Sequence, residues 1–100
     1  MRESHLISKI NNYLKEASKT KEIVWERRQA GGYNYKIGRA DYWFVCDGKH
    51  YEIEVKREEE KIILKSDQIK WLKKCEKNNI DCIISNDWEE IKDFIDNSTK

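Results

Sequence analysis

The chain has no proline and only four glycines among its 100 residues, which excludes collagen-like and proline-rich classes. Its 20 basic and 19 acidic residues leave a net charge of only +1, so attraction of the whole molecule to a polyanion is excluded. No apolar run approaches the roughly 18 residues of a membrane span, and the first residues lack an apolar signal region. We therefore expect a cytoplasmic protein with no membrane partner.

Cysteine is also scarce, at three residues, and the spacing of Cys46, Cys75 and Cys82 contains no CxxC pair. With only two histidines beside them, a structural zinc site is not expected. Each cysteine lies in an apolar pattern, so we predict buried thiols in a reducing compartment.

The residues that are present predict one folded domain over 1–100. A chain of this length buries roughly two-thirds of its unfolded surface, enough for one core. Aromatic residues make up 11% of the sequence, and these large side chains argue against disorder.

Hydrophobic periodicity predicts the order α-β-β-β-α-β-α. The helices are expected from Ser4 to about Lys19, after a cap at Ser66, and after a cap at Asn86 with Glu89 in the capping-box position. The strands are expected at Ile23–Arg28, Tyr42–Cys46, His50–Lys56 and Asp81–Ser85. The strand–helix–strand unit from His50 to Ser85 implies a parallel pair. The predicted fold class is therefore α/β (α+β), with a mixed central sheet flanked by helices.

Two finer placements complete this prediction. The stripe Ile69, Leu72 and Cys75 is expected to face inward on the second helix, and Trp88, Ile91, Phe94 and Ile95 on the third. The segment Ala30–Tyr35, with two glycines, reads as a turn or loop.

The Asp47-Gly48 pair is a strong signal for a two-residue hairpin turn. If these two residues form the turn, Cys46 pairs with Lys49, and each step outward brings the register to Asp41 opposite Glu54. Directly opposed side chains have Cβ atoms about 4.5–5.5 Å apart, and like charges at that distance destabilise the pair. The fold can keep both acids if one takes a proton or if a cation lies between them.

Lys56 lies two residues beyond Glu54 and so on the same face of the strand. Two carboxylates at this spacing suit a hard cation such as Mg²⁺, which neutralises a phosphate and helps to ionise water. A lysine ammonium beside them would stabilise developing charge. The three residues therefore point to phosphodiester hydrolysis, against the alternative of an ordinary solvated strand face.

Gln68 and Glu3 are polar residues at inward-facing spacings in the first turns of their helices. Both could point at the Asp41/Glu54 patch; the alternative is solvation or capping of the helix ends.

Glu3, the segment Gly38-Arg39-Ala40-Asp41, the segment Glu54-Val55-Lys56, and Gln68 with Trp71 occur in an order that resembles the VRR-NUC family. This family belongs to the PD-(D/E)xK nuclease superfamily, and the likeness runs from about Glu3 to Ile84. Ala40 stands where the family usually has proline.

The resemblance implies a restriction-endonuclease-like core and a nuclease that uses Mg²⁺ or Mn²⁺. Asp41, Glu54 and the Val55 carbonyl would be metal ligands, Lys56 the catalytic lysine, and Glu3 and Gln68 supporting active-site residues. Glu52 lies on the same face and could compete with Glu54 as a ligand, although the register favours Glu54. Small stand-alone members, often viral or bacterial, look like homodimeric Holliday-junction resolvases.

Charge is unevenly distributed along the chain. Residues 19–39 carry six basic and two acidic side chains, a local +4, whereas residues 86–97 carry five acids and one lysine, a local −4. A basic face could therefore contact phosphates, and loop tyrosines could stack on bases or simply pack on the fold. The candidate nucleic-acid-binding residues are Arg27, Arg28, Lys36, Arg39, Tyr33 and Tyr35.

A domain of this size leaves no room for a separate DNA-binding module, so a branched substrate would require a second copy of the chain. The apolar run Ile62-Ile63-Leu64 is a candidate for that dimer interface, and the alternative is an extra strand or a segment that packs on the core. The sequence thus predicts a Mg²⁺-dependent endonuclease for DNA, selective for Holliday junctions or other branches, acting as a homodimer. The alternatives are a nuclease for flaps, nicks or plain duplex, and a catalytically silent nucleic-acid-binding or assembly module.

Overall fold

A computed structural model of the chain describes residues 3–28, 40–56 and 66–100, with side chains described from His5 onward in the first range. Within these ranges, three helices and four strands follow one another in the order predicted from the sequence. In chain order the elements are α1 (Glu3–Thr20), β1 (Ile23–Arg27), β2 (Tyr42–Cys46), β3 (Lys49–Val55), α2 (Ser66–Lys77), β4 (Asp81–Ser85) and α3 (Trp88–Ser98).

The four strands form one mixed sheet in the order β1-β2-β3-β4. The first three are antiparallel neighbours, whereas β4 runs parallel to β3 after the connection that contains α2. The predicted mixed α+β architecture is confirmed. Parallel neighbouring strands require a crossover connection, and the helix α2 between β3 and β4 supplies it.

The turn between β2 and β3 has the geometry that its sequence predicts. Asp47 has φ 51° and Gly48 has φ 76°, and positive φ at both central residues is the mark of a type I′ turn, whose twist matches that of the flanking strands. Cys46 pairs with Lys49, and the register continues to Tyr42 opposite Ile53. The register predicted from the turn is therefore confirmed along the whole hairpin.

One face of the sheet packs against α1 and α3 to form the core. Alternate residues of β2 and β3 point to this side, as expected from the period of two. Tyr42 is fully buried there, and its hydroxyl is satisfied because it donates to Asn11 Oδ1 at 2.7 Å. The buried core comprises Leu6, Ile10, Leu14, Ile23, Tyr42, Phe44, Cys46, Tyr51, Ile53, Val55, Ile91 and Ile95.

The second helix packs on the opposite face of the sheet, above β3 and β4. Cys75 is buried on this side, but Ile69 is 40% exposed, so its predicted inward position is wrong. Gln68 and Leu72 instead line the space beneath the helix, beside Glu54. Their i, i+4, i+7 spacing with Cys75 shows that the inward stripe begins with the polar Gln68, in the inward position that its spacing predicts, rather than with Ile69.

The cap of α3 lies one residue later than predicted. Asp87, not Asn86, is the N-cap, and its carboxylate accepts a hydrogen bond from the Glu90 backbone N–H. Both residue types cap well, so local preference alone could not separate the two positions. The inward-facing residues of α3 are as predicted, with Ile91 and Ile95 buried and Trp88 and Phe94 packed against the core.

The three cysteines are free thiols. Cys46 and Cys75 are buried and Cys82 is half-buried, and burial raises the pKa of Cys46 and of Cys82. The three ranges that the structure describes contain no helix both long and apolar enough to cross a membrane. The predicted loop Ala30–Tyr35 and the run Ile62-Ile63-Leu64 lie outside the described residues.

Candidate active site

The two predicted acids meet beside the end of the hairpin. Tyr42 pairs with Ile53, and the next residue on each strand is Asp41 on one side and Glu54 on the other. Their carboxyl groups hydrogen-bond each other. The Asp41 carboxylate also accepts a hydrogen bond from the Val55 backbone N–H, with N to Oδ2 at 2.8 Å. The turn chemistry therefore places both acids on the face of the sheet that α2 covers.

Lys56 and Gln68 complete this cluster from a strand end and a helix. The Lys56 ammonium lies 3.7 Å from Glu54 Oε2, and Gln68 Nε2 donates a hydrogen bond to the same oxygen. The side chains of Glu54 and Lys56 are 12% and 22% exposed, so the cluster is sheltered but retains contact with solvent. We call Asp41, Glu54, Lys56 and Gln68 the carboxylate cluster.

Burial in this position changes the acidity of Glu54. Removal from water, the hydrogen bond with Asp41 and the negative charge of Asp41 together raise the pKa of Glu54 to about 8, against smaller lowering effects of Lys56 and Gln68. At neutral pH the Glu54 carboxyl therefore keeps its proton.

The donor set of the cluster fits a hard divalent cation. Carboxylate and carbonyl oxygens are the ligands that Mg²⁺ uses in proteins, commonly one or two carboxylates with retained waters. In an extended strand the N–H and C=O of one residue point to the same side, so the Val55 carbonyl points toward the same side as its N–H, where Asp41 lies. Among the described residues there is no group of three or more His, Cys, Asp or Glu side chains that could hold a metal ion, so the fit rests on two carboxylates and a carbonyl.

A second charged group, formed by Glu52 and Arg28, lies on the same face of the sheet, and Glu52 is two residues before Glu54 in β3. Both oxygens of the Glu52 carboxylate accept hydrogen bonds from the Arg28 guanidinium, and Glu52 also hydrogen-bonds His50 Nε2. The Glu52 side chain is 1% exposed. Because this carboxylate is already neutralised by a bidentate arginine, Glu54 is the acid of β3 that remains able to hold a metal.

The predicted nucleic-acid-binding residues divide among several places. Arg28 belongs to the ion pair with Glu52. Arg27 is exposed, and it pairs with Tyr42 in the ladder, so it lies on the sheet face opposite the carboxylate cluster. Their contacts with phosphate stay predictions. Lys36, Arg39, Tyr33 and Tyr35 lie outside the described residues, as does the side chain of Glu3.

Sequence reasoning missed the ion pair and the aromatic rings beside it. The Arg28 guanidinium lies 5.8 Å from the centre of the Trp71 ring, and Trp43 stacks on His50 with ring centres 5.6 Å apart. The available signal was the position of Glu52 in the middle of a strand that helices cover on both faces, where an acid requires a cationic partner. The sequence did not indicate which arginine supplies it.

Comparisons of this chain with protein-family models, with curated proteins and with solved structures found no significant match.

Proposed function

We propose that the protein is a metal-dependent endonuclease that hydrolyses DNA phosphodiester bonds on a restriction-endonuclease-like fold. One observation carries the proposal: a strand hairpin brings Asp41 and Glu54 into contact, with Lys56 3.7 Å from the Glu54 carboxyl. Opposed acids cost stability, and a purely structural sheet face gains nothing from them. A hydrolytic metal site uses both, and the resemblance to the VRR-NUC family supports the same assignment.

Asp41, Glu54 and the Val55 carbonyl would hold Mg²⁺ or Mn²⁺. The bound ion would supply charge neutralisation at the scissile phosphate and a more acidic water. Lys56 holds a positive charge beside Glu54, where it would hydrogen-bond the attacking water or a phosphate oxygen. Gln68 fixes the orientation of the Glu54 carboxyl through the hydrogen bond from its Nε2, and its amide oxygen would help to orient that water.

A branched DNA, and a homodimer to cut it, form the more specific part of the proposal. Two symmetric cuts in a four-way junction require two sites related by a two-fold axis, which a homodimer supplies. The positive charge concentrated in residues 19–39 would contact the phosphates of the arms. Because the contribution of phosphate contacts to DNA affinity falls steeply with salt concentration, DNA binding is expected to weaken strongly between 50 and 200 mM salt.

The test is a cleavage panel of four-way junction, flap, nicked duplex, plain duplex and single strand, with Mg²⁺, with Mn²⁺ and with EDTA. We expect metal-dependent cutting of the junction. Lys56→Ala should reduce cleavage by at least about a hundredfold while DNA affinity stays within a few fold. Lys49→Ala is the matched control, because it removes a lysine from the other end of the same strand.

Light scattering on the same preparations should give the mass of a dimer. Failure to cut any DNA form in either metal would refute the nuclease proposal and favour the silent binding module. Full activity of Lys56→Ala would refute the role given to this lysine. Cutting of flaps or plain duplex without the junction would leave a nuclease but refute the proposed substrate.

A further inference from the structure

Arg28 holds the backbone on both sides of the Cα of Asp41. Its own backbone N–H donates to the Asp41 carbonyl at 2.7 Å, which continues the β1–β2 ladder by one residue. Its guanidinium reaches back and donates to the Ala40 carbonyl, with Nη1 to O at 3.0 Å. The carbonyl before Asp41 and the carbonyl of Asp41 are thus both bound by one residue.

The guanidinium is itself fixed from two other elements. Glu52 on β3 accepts two hydrogen bonds from it, a planar bidentate arrangement that allows little rotation. Trp71 on α2 lies against it, with the guanidinium carbon 5.8 Å from the ring centre. Glu52 is two residues from Glu54, and Trp71 is three residues from Gln68. Arg28 therefore connects the three segments that carry the carboxylate cluster.

A buried ion pair of this kind is not needed for stability alone. Apolar residues of similar volume often replace such a pair without loss of stability, because they avoid the cost of removing two charges from water. Apolar replacements would, however, lose the hydrogen bond to the Ala40 carbonyl. This difference separates a structural role of the pair from a role in fixing Asp41.

We infer that Arg28, held by Glu52, is a positioning residue that sets the place of the Asp41 carboxylate relative to Glu54. The inference rests on the proposed function for its metal-binding consequence. Outer partners of metal ligands commonly change metal affinity by 10–100-fold when they are removed. The hydrogen bond from the Val55 N–H to the Asp41 carboxylate, at 2.8 Å, depends on the same placement of Asp41. Protection of the Val55 amide therefore measures that placement without any metal.

The experiment compares the wild type with the double variant Arg28→Met/Glu52→Leu. First, amide hydrogen exchange is measured by NMR in EDTA for Val55 and for Ile91 of α3, whose N–H donates to the carbonyl of the N-cap residue Asp87 at 3.1 Å. We expect the exchange rate of Val55 relative to Ile91 to rise by at least about tenfold. The ratio removes any change in global stability, because global unfolding exposes both amides.

Second, Mn²⁺ affinity is measured by the loss of the free-ion electron paramagnetic resonance signal. We expect the Kd of the double variant to be 10–100-fold higher than that of the wild type. Lys49→Ala is the control, since it breaks an exposed ion pair with Asp81 (3.0 Å) on the same two strands, β3 and β4. It should change neither the exchange ratio nor the Mn²⁺ affinity.

An unchanged exchange ratio, or an unchanged Kd in a wild-type protein that binds Mn²⁺, would overturn the inference. If the double variant does not fold, Arg28→Lys gives the same two measurements with the charge retained and the bidentate geometry lost. A wild-type protein that neither binds Mn²⁺ nor cuts DNA would instead refute the proposed function. In that case the exchange ratio still decides whether Arg28 holds Asp41.

Discussion

Glu54→Gln should abolish a pH dependence of stability that the carboxylate cluster imposes on the metal-free protein. The ordinary pKa of Glu54 is 4.5, and burial together with Asp41 raises it to about 8 in the folded state. Between these two values the folded protein keeps a proton that the unfolded chain has released. Stability therefore falls as the pH rises through this window, by up to about a factor of ten in the folding equilibrium constant per pH unit.

The rise from 4.5 to about 8 corresponds to a few kcal/mol, as an order of magnitude, across the whole window. This is a large share of the roughly 5–15 kcal/mol that stabilises a typical domain. In Glu54→Gln the neutral amide takes the place of the protonated acid, and its NH₂ group can donate to Asp41 as that acid does. The variant should match the wild type near pH 4.5 and exceed it in stability above pH 8.

The assay is urea unfolding in EDTA at half-unit steps from pH 4.5 to 9, followed by circular dichroism. The relevant quantity is the difference between wild type and variant, because the titration of every other group cancels in it. Adding Mg²⁺ at pH 8 should stabilise the wild type more than the variant, since ligands that bind only the folded state add to its stability. A difference that stays constant from pH 4.5 to 9 would refute the raised pKa of Glu54.

Three further substitutions test the local structure. Asp41→Asn should raise the melting temperature at pH 9 in EDTA by about 5 °C. The amide oxygen of the variant still accepts a hydrogen bond from the Val55 N–H, and its NH₂ group donates to Glu54. A clear decrease in the melting temperature would show that the charge of Asp41 is structural. Asp87→Ala should cost about 1 kcal/mol in urea unfolding through loss of the α3 cap, whereas Asn86→Ala should cost less, and the reverse order would contradict the assignment of the cap.

The hairpin and its acids could be predicted because short-range rules determine them. Two turn residues with positive φ fix the register, and the register alone brings Asp41 opposite Glu54. The position of Gln68 followed from its helical spacing to Leu72. These inferences require no knowledge of how distant parts of the chain pack.

The features that the sequence did not predict depended mainly on tertiary contacts between elements far apart in sequence. Arg28 is 24 residues from Glu52, and local preference carries no information on that pairing. Ile69 was misplaced because the rotation of α2 follows from its packing above Glu54, where Gln68 takes the inward position. Asn86 and Asp87 compete for one cap with nearly equal preference, so only the observed hydrogen bond separates them.

The length of the Asp47-Gly48 turn acquires a meaning beyond its own geometry. Exposed turns are ordinarily where a chain accepts an extra residue most readily. Here a single insertion would move one arm of the hairpin by one position and place Asp41 and Glu54 on opposite sides of the sheet. The length of a surface turn roughly 20 Å from these acids therefore determines whether they meet. Insertional scanning should find that this turn does not tolerate an extra residue, although no atom of the described residues lies near the position where a side chain on Gly48 would project.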